Sequence, residues 1–581
     1  MLVRPCQRPG IGRRLAAGLL SVLGTIVWTH GLAALVRSFI GLPVEALAPV
    51  AGWLTLAAGG AAVVGSVASR RPGVAGALAG AIGAVAIGFA CPVAFLPALA
   101  LIPSGVAFAA LGAWFAQRLP DRFDELPATR PRSTTAWLLI ALLALVQVGR
   151  LSTYMTNSES DWFLSTRDPF YAKHECLNAY VHAAELDRRG ESNVYDATHY
   201  PGLNRDAEPV TELSGMAPED PFQYAPQFLL WPRAAIAITQ DYQAIRLVWF
   251  GINVTLCMAA VLMLAFWIGG RVGAVSGLLS PLLLAAFPSL HNFQYGQFHF
   301  ATIALAVLGM LAFACRRPAI GGTLLAVSIL SKLFPALLLF TLAAQRRWRD
   351  LTWSFAAIAL ITLATLRVTG TAPFLAFAEY HLPRLVDGSA FAFGEAWPEV
   401  AGLLIAGNQG ISGIFDKLTA MGLPISASIS TGSGKVYGLT LVLVAVWVGL
   451  RGERSRTERA VAWVGLLGLG SLASTGAWAD YVPVTCVWLL TLLAPLAIDR
   501  PATRLALGLC AVMQVFLLGT MPLGDWVEIS WMYPASLLGA LSMLATFTVG
   551  VALHELSSST SHSTPAGRTA ATRRGLLESR S

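Results

Sequence analysis

Apolar runs recur along nearly the whole chain, separated by short gaps rich in Arg, Gly and Pro. A membrane-spanning helix needs roughly 20 mostly apolar residues. The pattern predicts spans at residues 15–36, 47–69, 73–91, 96–117, 134–150, 243–267, 273–288, 299–315, 351–368, 435–450, 459–474, 478–497, 503–519 and 527–551. One stretch breaks the rhythm. Residues 151–240 hold 13 of the 32 acidic residues, among them Glu159, Asp161, Asp168, Glu175, Asp196 and Asp220. Carboxylates gathered into one long polar loop at a membrane surface point to chemistry there.

A second irregularity lies at residues 319–344. This apolar stretch is interrupted by Ser331, Lys332 and Pro335 in SILSKLFPALLL. Each half is too short to cross a bilayer alone. The pattern predicts a helical hairpin or broken helix with Lys332 at its tip. Irregular backbone at membrane depth is tolerated where protein or a watery cavity surrounds it, and an ionisable group there is a functional candidate.

Composition agrees with the pattern. The chain of 581 residues is 55% hydrophobic and only 12% charged, against about 25% charged in a soluble domain. The reading is an all-α polytopic membrane protein. The formal charge of +8 is no nucleic-acid signal, because Lys and Arg sit in short clusters between apolar runs. The seven cysteines are scattered without a CxxC pair, so no disulfide framework is implied.

The basic clusters set the expected orientation. Arg13 and Arg14, Arg70 and Arg71, and the group Arg118 to Arg132 fall on one side if the N-terminus is cytoplasmic. Arg271, Arg316, Arg317, Arg346, Arg347, Arg349 and the Arg451–Arg459 run then join them. Both termini are expected in the cytoplasm, in the plasma (inner) membrane, with residues 151–240 outside. The division is residues 1–129, a four-helix segment of unassigned role, residues 130–555, the core, and residues 556–581, a disordered Ser/Thr/Arg-rich tail.

Six of nine histidines fall on or near the outward face: His174, His182, His199, His291, His299 and His381. Three other outward segments accompany the acidic loop: PSLHNFQYGQFHF, residues 368–435, and STGAWADYVP. A carboxylate can act as general base toward a hydroxyl, and a Lys can offset a phosphate charge. Together with apolar interfacial pieces, these groups suit a substrate with a polar head and a lipid tail. On residues alone, a membrane enzyme and a transporter both remain open.

Several motifs narrow this. AYVHAAELDRRGESNVYD is an Ala-rich helix followed by Gly and Tyr. DPFQYAPQFLLWPRA holds a Phe-x-Tyr-x-Pro segment (Phe222, Tyr224, Pro226). YGQFHF carries a Gly-Gln turn (Gly296, Gln297). GGTLLAVSILSKLFPALLLF with QRRWR gives a Lys-x-x-Pro hairpin with a basic end, and NQGISGIF contributes Asn408 and Gln409. In order and placement this set resembles glycosyltransferase family 87, the polyprenol-phosphate-dependent mannosyl and arabinofuranosyl transferases of the C-type superfamily. It departs from the pattern at the four N-terminal helices. It departs again at KHECLN, where the family has an Asp, and at Trp478-Ala479-Asp480, where the family often has Trp-x-His.

The resemblance implies a C-type helical bundle with a large outward-facing first catalytic loop and a broken hairpin. It implies inverting transfer of mannose or arabinofuranose from a polyprenyl-phosphate donor to a lipid or glycan acceptor, with an Asp general base. The order of preference for the base is Asp168, Asp161, then Glu175. Lys332 would face the donor phosphate, with Gln297 or His299 as hydrogen-bond donors. His174 and Arg167 would steer phosphate or acceptor, and Tyr224 and Trp478 would stack on sugar or line the lipid path. No cofactor is required, and although a divalent metal is compatible with the chemistry, the sequence does not specify one. The alternative is a transporter or flippase for a lipid-linked or small polar substrate.

Overall fold

The computed structural model describes residues 176–200, 221–391, 393–396, 398, 401–451, 455–479, 481–497 and 529–552, with Leu139, Ala144 and Leu151. Of the expected spans, residues 15–36, 47–69, 73–91, 96–117 and 503–519 lie outside these. So do residues 134–150 apart from Leu139 and Ala144, and the tail at 556–581. Among the described residues every regular element is helical. The one exception to pure helix and turn is an isolated antiparallel bridge between Asn408 and Trp478.

The elements used below are α1 (Cys176–Arg189), α2 (Leu230–Ile238), α3 (Tyr242–Ile268), α4 (Gly270–Leu278), α5 (Ser280–Ala285), α6 (Phe287–Gln294), α7 (His299–Ala314), α8 (Pro318–Ser331), α9 (Leu337–Ala344), α10 (Trp348–Thr369), α11 (Ala401–Gly407), α12 (Ile411–Ala420), α13 (Ala427–Leu450), α14 (Arg456–Ser471), α15 (Pro483–Ala497) and α16 (Ile529–Ala552). Four helices among the described residues are long and apolar enough to cross a membrane: Ala244–Ile268, Trp348–Thr369, Ser428–Leu450 and Ser530–Ala552. The protein is therefore an all-α polytopic membrane protein.

Three expectations need correction. The span at 273–288 is not one helix. It is broken into α4, α5 and α6, and Gly270–Leu284 and Phe287–Gln294 meet at 59°. Pro281 and Pro288 stand in the first turns of α5 and α6, where the missing N–H and the ring end the preceding helix. The helix expected at 435–450 begins at Ala427. Its first turns, ASISTGSGK, carry the Ser and Gly that read as loop, and packing against α12 holds them helical. Finally, α15 begins at Pro483 rather than 478. Residues before it serve as a cavity wall.

The hairpin forms as expected. Its first limb, α8, ends at Lys332, whose backbone is extended (φ −144°, ψ 135°). A 3-10 turn at Phe334–Ala336 carries Pro335, and α9 follows. Small residues let the limb approach its neighbours. A Cβ on Gly309 of α7 would lie 3.0 Å from the Gly321 carbonyl, and one on Gly321 would lie 2.4 Å from the Phe313 ring. Gly322 packs as tightly on Trp353 and Ser354 of α10. Close helix approach through small residues is how bundles pack in lipid. The second limb runs beside α13, where Thr341 Oγ1 donates to the Ala445 carbonyl at 3.1 Å.

Candidate active site

The tip of the hairpin enters a cavity of about 970 Å³. Segments far apart in sequence build its walls: α1 with residues 221–225, the turn at 295–299, the hairpin tip, the 377–394 segment, and the 471–482 turn with α11 to α13.

The first wall is a hydrogen-bonded aromatic group. The Tyr180 and Tyr224 hydroxyls share a hydrogen bond at 2.6 Å. Gln297 Oε1 lies 3.2 Å from the Tyr180 hydroxyl and 2.5 Å from that of Tyr224, so one hydroxyl donates to Gln297 while the other donates to its neighbouring hydroxyl. Gln297 Nε2 reaches Cys176 Sγ at 3.4 Å. Below this group Tyr224 stacks on Phe228, with ring centroids 4.4 Å apart. The Trp231 and Trp249 rings stack at 3.8 Å. Trp249 Nε1 donates to the Gly296 carbonyl at 2.7 Å, which fixes the turn. Gly296 has φ +62°, and a Cβ there would lie 2.8 Å from Leu177 Cβ. Only glycine suits both demands.

Lys332 projects between two rings, with Nζ 5.5 Å from the Tyr224 centroid and 4.7 Å from that of Tyr481. Cation–π contacts of this kind hold an ammonium without neutralising it. Among the described residues no carboxylate pairs with it. His299 sits beside the tip, its ring 5.0 Å from Tyr481 and 5.5 Å from Phe334. It is only 2% exposed, and among the described residues its Nε2 has no hydrogen-bond partner. Tyr481 is itself fixed by donating to the Gly476 carbonyl at 3.0 Å.

The opposite wall is held by backbone pairing. Gln409 N–H donates to the Ala477 carbonyl at 2.6 Å, and Ala479 N–H donates to that of Gly407 at 2.7 Å. Asn408 Nδ2 donates to the Thr475 carbonyl at 2.8 Å, and its Oδ1 accepts from the Gly410 N–H at 3.0 Å. Lys417 is fully buried and donates to the Asn408 and Gly413 carbonyls. Burial lowers its pKa to about 7, with Asp416 opposing the shift. These bonds set Trp478, half-buried, against the cavity.

Of the expected site residues, Lys332, Gln297, His299, Tyr224 and Trp478 all line this one cavity. Asp168, Asp161, Glu175, His174 and Arg167 lie outside the described residues. Glu175 immediately precedes Cys176, a lining residue. Sequence reasoning missed Cys176 and Tyr180 of α1. Their i, i+4 spacing places them on one helix face, which was the available signal. It also missed Asp387 and Asp416, the carboxylates among the described residues that line the cavity. Among the described residues no group of three or more His, Cys, Asp or Glu side chains is placed to hold a metal ion.

Comparison with known proteins accords with this arrangement. The family model for Glycosyltransferase family 87 matches residues 222–475, from Phe222 of the aromatic wall to Thr475 beside Trp478. No curated protein and no solved structure matches. The matched segment holds Tyr224, Gln297, His299, Lys332 and Asn408. Over residues 222–475 this chain is thus similar to glycosyltransferase family 87, and the likeness supports a membrane glycosyltransferase acting between a sugar donor and an acceptor.

Proposed function

We propose that this chain transfers mannose or arabinofuranose from a polyprenyl-phosphate donor to a hydroxyl of a lipid or glycan acceptor, at the outer face of the plasma membrane. The observation that carries this reading is the hairpin tip. Lys332, unpaired with acid among the described residues, meets a cavity whose near wall is apolar through Ile329, Leu330, Leu333, Leu337 and Phe340. A cation at the edge of a greasy wall matches a phosphate head joined to a lipid tail.

In the transfer, a carboxylate takes the proton of the acceptor hydroxyl as its oxygen attacks the anomeric carbon. The bond from that carbon to the phosphate oxygen breaks, and its electron pair stays on the lipid phosphate. The configuration inverts, and the transition state has oxocarbenium character. Lys332 offsets charge on the departing phosphate, and His299 Nε2 is available to hydrogen-bond it. The base is assigned to Asp168, Asp161 or Glu175, in that order.

The test is transfer by the purified protein in lipid nanodiscs, using polyprenyl-phosphate mannose and arabinofuranose. Asp168→Asn should abolish transfer while donor binding persists. Full activity of that variant, with loss in Asp161→Asn or Glu175→Gln, moves the base. An inactive wild type that instead carries substrate across vesicles sinks the reading in favour of transport.

A further inference from the structure

The cavity continues past the hairpin tip to Asp416 and Ser430. Two contacts fix the level of the tip against α13. Phe334 and Leu337 pack on Gly470, and the Tyr437 hydroxyl donates to the Leu469 carbonyl at 2.9 Å. The tip therefore stands level with Tyr437. Ser430 lies seven residues earlier on α13, about 10 Å farther along the helix at 1.5 Å per residue. Since α9 and α13 run side by side in the same direction through Thr341–Ala445 and Ala344–Gly449, this displacement leads away from the hairpin body.

At that point Asp416 of α12 lines the cavity, its Oδ1 accepting from Ser430 Oγ at 3.0 Å. Among the described residues its second oxygen takes no hydrogen bond. The neighbouring Lys417 is turned into the protein, spent on two backbone carbonyls. Space beside the pair is open: a Cβ on Gly434, one turn along α13 from Ser430, would meet nothing within 4 Å. Ser412 and Ser474 add hydroxyls to the same lining.

We infer that Asp416 and Ser430 form a hydroxyl-binding subsite for a neutral sugar acceptor, about 10 Å beyond the hairpin tip. The inference rests on the sugar-transfer reading above. A carboxylate with one oxygen anchored and the other open accepts from a sugar hydroxyl, and such charged hydrogen bonds are the stronger kind. Burial raises the Asp416 carboxyl above its usual range, with Ser430 and then Lys417 opposing. Its charged form thus has room for a further donor, which a bound sugar would supply. The distance to Lys332 leaves space for the transferred sugar between the two charges.

The test uses octyl mannoside as acceptor and the full-length protein in nanodiscs. Asp416→Asn should raise the acceptor KM about tenfold, the loss of one charged hydrogen bond, while the donor KM stays within about twofold. Ser430→Ala should raise the acceptor KM about threefold. An unchanged acceptor KM, or a loss carried by kcat or by the donor KM, overturns the subsite. If the wild type transfers no sugar, equilibrium binding of radiolabelled octyl mannoside decides. About tenfold weaker binding by Asp416→Asn keeps the subsite while the transfer reading falls, and equal binding, or none by the wild type, overturns it.

Discussion

The two ends of the cavity are built on opposite principles. Around the tip, Tyr180, Tyr224 and Gln297 satisfy one another, Gly296 is locked by Leu177 and Trp249, and Tyr481 is tied to Gly476. Little there can move without breaking a hydrogen bond or a ring contact. Around Asp416, one side-chain bond to Ser430 stands beside the open face of Gly434. A rigid wall suits a reacting group whose geometry must be fixed before reaction. An open wall suits a ligand that varies in shape. On this comparison, and with the proposed assignment of the two ends, the donor side is preorganised and the acceptor side adaptable.

The hardest way to break that comparison is to remove the charge from the rigid end. Lys332→Met should lower kcat for sugar transfer about 100-fold or more, as expected for losing a preorganised charge at a leaving group. Steady-state kinetics with saturating acceptor checks it, and a variant within threefold of wild type removes the tip from the mechanism.

Next in size is the turn. Gly296→Ala adds a Cβ at φ +62° into Leu177. Left-handed strain and overpacking together should cost about 2–4 kcal/mol. The thermal midpoint in detergent should drop, whereas Gly434→Ala, facing open space at the other end, should not lower it.

The polar shell around the rigid end should also be acid-sensitive. Burial holds His182 and His381 down to a pKa of about 4 in the folded protein. His381 stacks on Tyr195 at 4.5 Å, and His182 Nε2 bonds the His199 carbonyl at 3.1 Å. The unfolded chain titrates these groups near 6.5 and so binds more protons between about pH 4 and 6.5. Their stability contribution is complete above that window and is lost as pH falls through it, by about 1–3 kcal/mol each. Melting curves from pH 7 to 4 should show the loss, and His381→Asn should flatten the slope.

The smallest effect sharpens the picture. Tyr224→Phe removes the hydroxyl between Tyr180 and Gln297, at about 1–2 kcal/mol. It leaves the ring beside Lys332. Donor KM should rise modestly while acceptor KM is unchanged.

Much of this was readable along the chain. The long apolar runs gave α3, α10 and α16 within a few residues, because burial in lipid demands the same signal everywhere. The hairpin was readable too, since SKLFP interrupts an apolar stretch with a charge and a proline that no simple span tolerates. The break at Pro281 and Pro288 was missed because their flanking residues are as apolar as a span. The first turns of α13 were missed because Ser and Gly there mimic a loop. Among the candidate residues that line the cavity, Lys332, His299 and Trp478 stood out by type and placement, and Gln297 and Tyr224 through the family resemblance. Asp416 did not, because a lone acid on a short amphipathic helix looks like any solvated charge.

Sequence by itself determined that the long apolar runs are membrane-sized helices, that the chain must break at SKLFP, and that a Lys stands at that break. These follow from local dihedral preference and the thickness of an apolar phase, both of which act within about 20 residues. Tertiary structure alone decided that Tyr180, Tyr224, Gln297, Lys332, Trp478 and Tyr481 face one space. Tyr180 and Gln297 are 117 positions apart, and no local preference reaches so far. Their meeting depends on glycines that let helices close to contact and on backbone bonds that draw 407–410 against 475–479, interactions that exist only once the bundle is assembled.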